Sequence, residues 1–101
     1  MEIKITVRHG SLSEAAKEKI IGKVERLAKF IQRVSKAEVV VDLEKADTPK
    51  IDLKVVTELK KEFNASYSSN DMFGAVDQVI DKLQQQMKKF NDKMTEHPRQ
   101  R

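Results

Sequence analysis

The side chains best placed to do chemistry in this chain are cations, and they recur along two helical patterns. At about 100° per residue, Lys19, Lys23, Arg26 and Arg33 fall on one flank of an apolar stripe made by Leu12, Ala16, Ile20, Val24, Leu27 and Ile31. Glu18 and Glu25 fall on the other flank. A second stripe runs through Phe73, Val76, Ile80, Leu83, Met87, Phe90 and Met94. Lys82, Lys89 and Lys93 line one side of it, with Gln78, Gln85 and Gln86 among them. Asp77, Asp81 and Asp92 take the opposite side, together with Lys88. Positive charge segregated on a rigid face suits a polyanion, because Lys and Arg contact phosphates and release counterions. The competing reading is an ordinary solvated helix surface laced with i,i+4 ion pairs, and charge alone does not separate the two.

Other chemistries find little support. There is no cysteine, which removes disulfides, thiolate catalysis and Cys-based zinc sites together. His9 and His97 sit near opposite ends of the chain, and no pair has metal-ligand spacing. Asp77 and Asp81 share a face but lie in the first half of a helix, where negative charge complements the dipole. Ser66, Ser68 and Ser69 have no nearby base in the sequence and read as strand-end and capping residues. Gly10, Gly22 and Gly74 make no phosphate-cradling loop. The expectation is a protein with no catalytic residues, no cofactor and no metal. With no Trp, and with its Phe residues mostly in the apolar stripes, the chain is expected to recognise folded RNA by shape rather than to stack single strands.

The elements that position these side chains follow from periodicity. A chain of 101 residues, 39% hydrophobic and 36% charged with a net charge of +4, is the size of one domain with one core. Ile3, Ile5 and Val7 alternate with polar residues as a strand. His9-Gly10-Ser11 breaks it, Ser11 or Ser13 caps the first helix, and that helix runs to near Val34. Ala37, Val39, Val41 and Leu43 mark a second strand; Ile51, Leu53 and Val55 a third; Phe63, Ala65 and Tyr67 a fourth. Ala46-Asp47-Thr48-Pro49 and Leu59-Lys60-Lys61 are the turns between them, and Ser69-Asn70-Asp71 caps the second helix. The fold class is therefore α+β, β-α-β-β-β-α. A four-stranded mixed sheet carries two parallel helices packed on one face. Residues 1–95 make the domain and 96–101 a short basic tail. The far sheet face, with Glu38, Asp42, Glu44, Asp52 and Glu58, is expected to be wet and mainly acidic. Because the helices run parallel, both basic flanks should lean the same way. The N-terminus lacks the apolar run of a signal peptide and no stretch is apolar enough to span a bilayer, so a cytoplasmic location with no membrane partner is expected.

The run Asp71-Met72-Phe73-Gly74-Ala75-Val76-Asp77, followed by Ile80-Asp81-Lys82-Leu83 and Gln86-Met87, resembles the signature of the bacterial ribosome hibernation promoting factors. That family includes the ribosome-associated inhibitor A, or sigma-54 modulation, proteins. Leu43-Glu44-Lys45 and Ser13-Glu14-Ala15 match as well, so the resemblance covers nearly the whole chain. It implies a domain that binds small-subunit ribosomal RNA in the channel for messenger and transfer RNA, and so stores idle ribosomes under stress. Carried over by position, Lys23, Arg26, Arg33, Lys82 and Lys89 match basic family positions. The spacing argument adds Lys19, Gln85 and Lys93 to the expected RNA-binding set. Gln85 stands where the family usually has Arg, Asn91 where Lys is common, and Phe73 replaces a usual Tyr. Ending at Arg101, the chain is similar to the short forms, which lack the ribosome-pairing domain of long members. The small ribosomal subunit is the expected partner, with no small-molecule substrate and a monomeric free state. The alternative is a protein-interaction module acting on a transcription factor through a sheet edge or the acidic face.

Overall fold

In the computed structural model the described residues are 2–30, 34–58 and 60–96, with side chains described within 2–27, 34–58 and 60–89. The elements are β1 (Glu2–Arg8), α1 (Glu14–Phe30), β2 (Val34–Asp42), β3 (Lys50–Thr57), β4 (Glu62–Ser68) and α2 (Met72–Glu96). Val34, expected at the end of the first helix, instead opens β2. Ile31 and Arg33 lie outside the described residues. So do residues 97–101, which are most of the expected tail; Glu96 itself belongs to α2.

Local chemistry sets the boundaries. Ser13 is the residue before α1, and its hydroxyl accepts the Ala16 N–H at 3.1 Å, so it rather than Ser11 caps the helix. Asp71 precedes α2, and its own N–H is held by the Ser69 hydroxyl at 3.1 Å. Thr48 N–H closes a turn onto the Lys45 carbonyl at 3.0 Å. In the β3–β4 turn the Thr57 carbonyl accepts Lys60 N–H at 2.9 Å, and Lys60 has a φ of 65°.

The strands are ordered β1-β2-β3-β4, with β1 parallel to β2 and both later pairs antiparallel. One face is apolar. Ala37, Val39, Val41, Ile51, Leu53, Val55 and Phe63 are buried there against Ile20, Val24 and Leu27 of α1 and Val76, Val79, Leu83 and Met87 of α2. The second helix lies over β3 and β4, and α1 lies beside it toward β1. Lys19 meets Phe73, and one turn on, Lys23 meets Asp77. Both contacts advance by four residues in the same sense, so the helices run parallel. No helix among the described residues is long and apolar enough to cross a membrane.

The far face of the sheet is not acidic. The register aligns Lys4, Glu38 and Lys54 across three strands, and Arg8, Asp42 and Lys50 in another row. Glu2 pairs with Lys36, while Lys54 reaches Glu62 at 3.6 Å. Opposite charges beside one another support strand pairing. Glu44 and Glu58 lie beyond the strand ends. The expected acidic face counted the acids of two strands; the register adds the bases of β1 and the lysines that share the same rows.

Leu53 is 2% exposed at the centre of this core. Leu53→Ala should cost about 2–5 kcal/mol of unfolding free energy, measurable by denaturant melts. A loss under about 1 kcal/mol would mean that the core is placed elsewhere.

Candidate nucleic-acid interface

Burial of the two apolar stripes fixes the rotation of each helix, and rotation decides where the cations go. On α1 the basic flank turns toward α2. Lys23 Nζ lies 2.8 Å from Asp77 Oδ1, with the lysine 17% exposed and the aspartate 58%. The Lys19 ammonium lies 4.2 Å from the Phe73 ring centroid. Arg26, on the same flank, is exposed. On α2 the basic flank turns away from α1, over β4. Both basic flanks thus lean toward the β4 side of the helical layer, and the acidic flank of α2 faces the basic flank of α1.

The expected interface residues therefore differ in availability. Arg26 and Lys89 are exposed and have no ion-pair or hydrogen-bond partner among the described residues. Lys19 and Lys23 sit in the seam between the helices and are already engaged. Lys23 is largely covered while its partner Asp77 faces solvent, so a phosphate reaches that lysine only by displacing Asp77. Gln85 is exposed and donates to Asp81 at 3.0 Å. Arg33 and the side chain of Lys93 lie outside the described residues.

Lys82 and Gln86 hold a position that spacing does not reveal. Gln86 Nε2 donates to the Asn64 carbonyl at 2.9 Å and Lys82 Nζ to the Ser66 carbonyl at 3.4 Å. Both carbonyls belong to β4, the edge strand. Two side chains of α2 thereby cap acceptors that would otherwise invite another strand. The Lys82 ammonium also lies 4.9 Å from the centre of the Tyr67 ring, an exposed contact worth about 0.5–1 kcal/mol. Tyr67 is the exposed large hydrophobic residue of the described chain, at 36%. Alternation places it on the buried row with Phe63 and Ala65, and only the position of α2 shows that the row emerges from cover there. The expectation of no exposed stacking aromatic is corrected accordingly.

A depression of about 620 Å³ lies on the far face, lined by Arg8, Glu38, Asp52, Lys54, Ser66 and Lys82 among others. No hydrogen bond joins the Ser66 hydroxyl to a base among the described side chains. The fold also brings His9 to Asp42 and Glu44, with ligand atoms within 4.8 Å of one another, although His9 is distant from the other two in sequence. Asp42 Oδ1 is already shared between His9 Nδ1 at 2.9 Å and the Glu44 N–H at 3.0 Å. The cluster thus ties the end of β1 to the end of β2, where Leu43 N–H also donates to the Arg8 carbonyl at 2.9 Å. The Glu44 N–H, and then His9, hold the Asp42 carboxyl below its ordinary value of 3.8.

Two outcomes follow from these contacts. A carboxyl with a lowered folded-state pKa stabilises above its unfolded pKa, and that stability is lost as pH falls through the lowered value. Wild-type protein should therefore lose stability below about pH 4 in acid titrations followed by circular dichroism. Asp42→Asn should show a shallower loss over that window; superimposable acid limbs would remove Asp42 from the account. Lys82→Ala combined with Gln86→Ala should expose the β4 edge and raise self-association relative to wild type in sedimentation velocity. Identical profiles would mean that these donors do not guard it.

Comparison with known proteins follows the same geometry. The family model described as "Sigma 54 modulation protein / S30EA ribosomal protein" matches residues 3–95. A ribosome hibernation promoting factor from Escherichia coli K12 is 33% identical over 98 residues, covering 96% of this chain and all of that protein. The Salmonella typhimurium protein of the same name is 30% identical over 97 residues, covering 96% of this chain and all of that one. Among solved structures, a ribosomal subunit interface protein from Coxiella burnetii superposes with a TM-score of 0.78 at 26% identity, covering 91% of this chain and 99% of that one. The Protein Y N-terminal domain of Thermus thermophilus shares the fold, with a TM-score of 0.75 at 23% identity, covering 89% of this chain and 99% of that one. With its β-α-β-β-β-α order, its helical layer and a match over nearly its whole length, this chain belongs to the sigma 54 modulation / S30EA ribosomal protein family.

Proposed function

We propose that this chain is a ribosome-associated translation inhibitor. It binds small-subunit ribosomal RNA in the channel for messenger and transfer RNA and holds ribosomes in an inactive, hibernating state. The observation that carries this reading is the common lean of the two basic flanks toward the β4 side of the helical layer. Arg26 and Lys89 stand free there among the described side chains, with Lys82 at the rim. Relatives named for ribosome hibernation and for the ribosomal subunit interface support the ribosome as the partner. The free protein acts as a cytoplasmic monomer and needs no cofactor or small-molecule substrate.

The far face takes a smaller part in this reading than the sequence implied. Its interleaved Lys, Arg, Asp and Glu neither attract nor repel RNA strongly, so docking is set by the helical layer. The same interleaving takes away the acidic surface on which a transcription-factor partner would have docked. Only the sheet edges remain for that alternative, and Lys82 and Gln86 cap acceptors on one of them.

Sucrose-gradient sedimentation with small ribosomal subunits tests the proposal. Co-migration should weaken with salt. If about six phosphates are neutralised, log K should fall against log salt with a slope of roughly −4 to −5. Arg26→Glu with Lys89→Glu should abolish co-migration while leaving the thermal melt unchanged. Lys23 is left out of that variant, because a carboxylate at position 23 would face Asp77 and disturb the fold itself. Salt-independent binding, or full retention of the double variant on subunits, would refute the proposed surface.

A further inference from the structure

We infer that Tyr67 and Lys82 together form a subsite for one unpaired nucleotide, with the base stacked on the Tyr67 ring and its phosphate held by Lys82. This deepens the RNA-binding reading above and rests on it.

Four features of the β4 edge point there. Tyr67 keeps 36% of its surface exposed, whereas Phe63, four residues earlier on the same row, keeps 6%. The apolar row of β4 therefore runs out from beneath α2 and ends in an uncovered aromatic ring. On its own face of β4 the neighbouring side chain is the small Ala65, while Ser66 and Ser68 turn to the other face of the sheet, so nothing bulky on β4 blocks approach. The site lies on the basic flank of α2, where Lys82 and Lys89 are seven residues apart and share a face. Finally, the cation over the ring is held loosely. Lys82 Nζ sits 4.9 Å from the ring centroid, and its bond to the Ser66 carbonyl is long, at 3.4 Å.

An ammonium on an exposed ring is a weak occupant. A nucleobase offers a larger flat surface to the same ring, and base–aromatic stacking outweighs an exposed cation contact. When a base takes the ring, Lys82 swings by rotation of its own flexible side chain to the phosphate of that nucleotide. Neither backbone nor core needs to move. The ligand must be unpaired, because bases inside an A-form duplex have both faces covered by their neighbours. Loops, bulges and extruded bases of folded RNA meet that requirement; paired stems do not. The subsite adds a stacking contact to a surface that otherwise reads phosphates and shape.

Tyr67 is the one tyrosine of the chain, and there is no tryptophan. Intrinsic emission therefore reports on this ring alone. The test compares an RNA hairpin carrying a loop of unpaired nucleotides with a blunt RNA duplex of equal phosphate number and matched absorbance. The hairpin should quench tyrosine emission saturably, and the duplex should bind without comparable quenching. Tyr67→Phe should keep wild-type affinity for the hairpin, measured by filter binding. Tyr67→Leu should weaken it roughly 5- to 100-fold with an unchanged salt slope and melting curve, while Lys82→Ala should reduce the slope by about one. Undiminished emission at saturating hairpin, or wild-type affinity in Tyr67→Leu, would overturn the subsite even if small-subunit co-migration persists. Failure of wild-type protein to bind either RNA or small subunits would remove the subsite along with the reading beneath it.

Discussion

The structure depends on the seating of two apolar helix stripes on one face of a four-stranded sheet. Val76, Val79, Leu83 and Met87 of α2 and Ile20, Val24 and Leu27 of α1 are buried with Val39, Val41, Ile51, Leu53 and Val55 beneath them. At about 25 cal/mol per Å² of apolar surface removed from water, this contact dominates every polar interaction on the molecule. Each helix therefore has one rotation it can adopt. The cations have no say in that choice; they go where the stripes send them.

Rotation has an electrostatic consequence. In two parallel helices, each basic on the same side of its stripe, the basic side of one faces the acidic side of the other. Lys23 and Asp77 meet in that seam, and Lys19 lies on Phe73 nearby. These contacts help fix the pitch of one helix against the other, and they draw two cations away from free display. Arg26 and Lys89, at the margins of the seam and of the layer, stay open to a polyanion. A basic surface of this kind is graded: some of its lysines must exchange an internal partner for a phosphate, and others meet the phosphate directly.

The β4 edge combines constraints that elsewhere in the molecule are separate. It is an open strand, it borders the basic flank of α2, and it carries the exposed ring. Lys82 and Gln86 reach across to the Ser66 and Asn64 carbonyls, satisfying acceptors while keeping both side chains at the rim. The far face solves its own pairing problem differently, with cross-strand rows of alternating sign. Such rows stabilise the sheet locally and leave almost no net field, so they do not steer a charged partner.

The order of elements, the fold class and most of the core were legible in the chain, because periods of two and of three to four residues report which side chains must leave water; on α2 the stripe missed Ala75 and Val79, which are fully buried, and named Phe73 and Ile80, which are only partly so. The flank assignment of Lys82, Lys89, Asp77 and Asp81 was legible for the same reason, since each residue has a fixed angle from its own stripe. The helix-end estimate near Val34 failed because a β-branched residue fits either pattern until a partner strand claims it. The sequence by itself thus determined the main apolar face of each element and on which side of each helix the cations lie. Only the tertiary structure decided which cations are free, where the apolar row of β4 emerges as Tyr67, and that the far face is charge-balanced. Those outcomes depend on cross-strand register and on helix placement, which join residues tens of positions apart and leave no trace in local spacing.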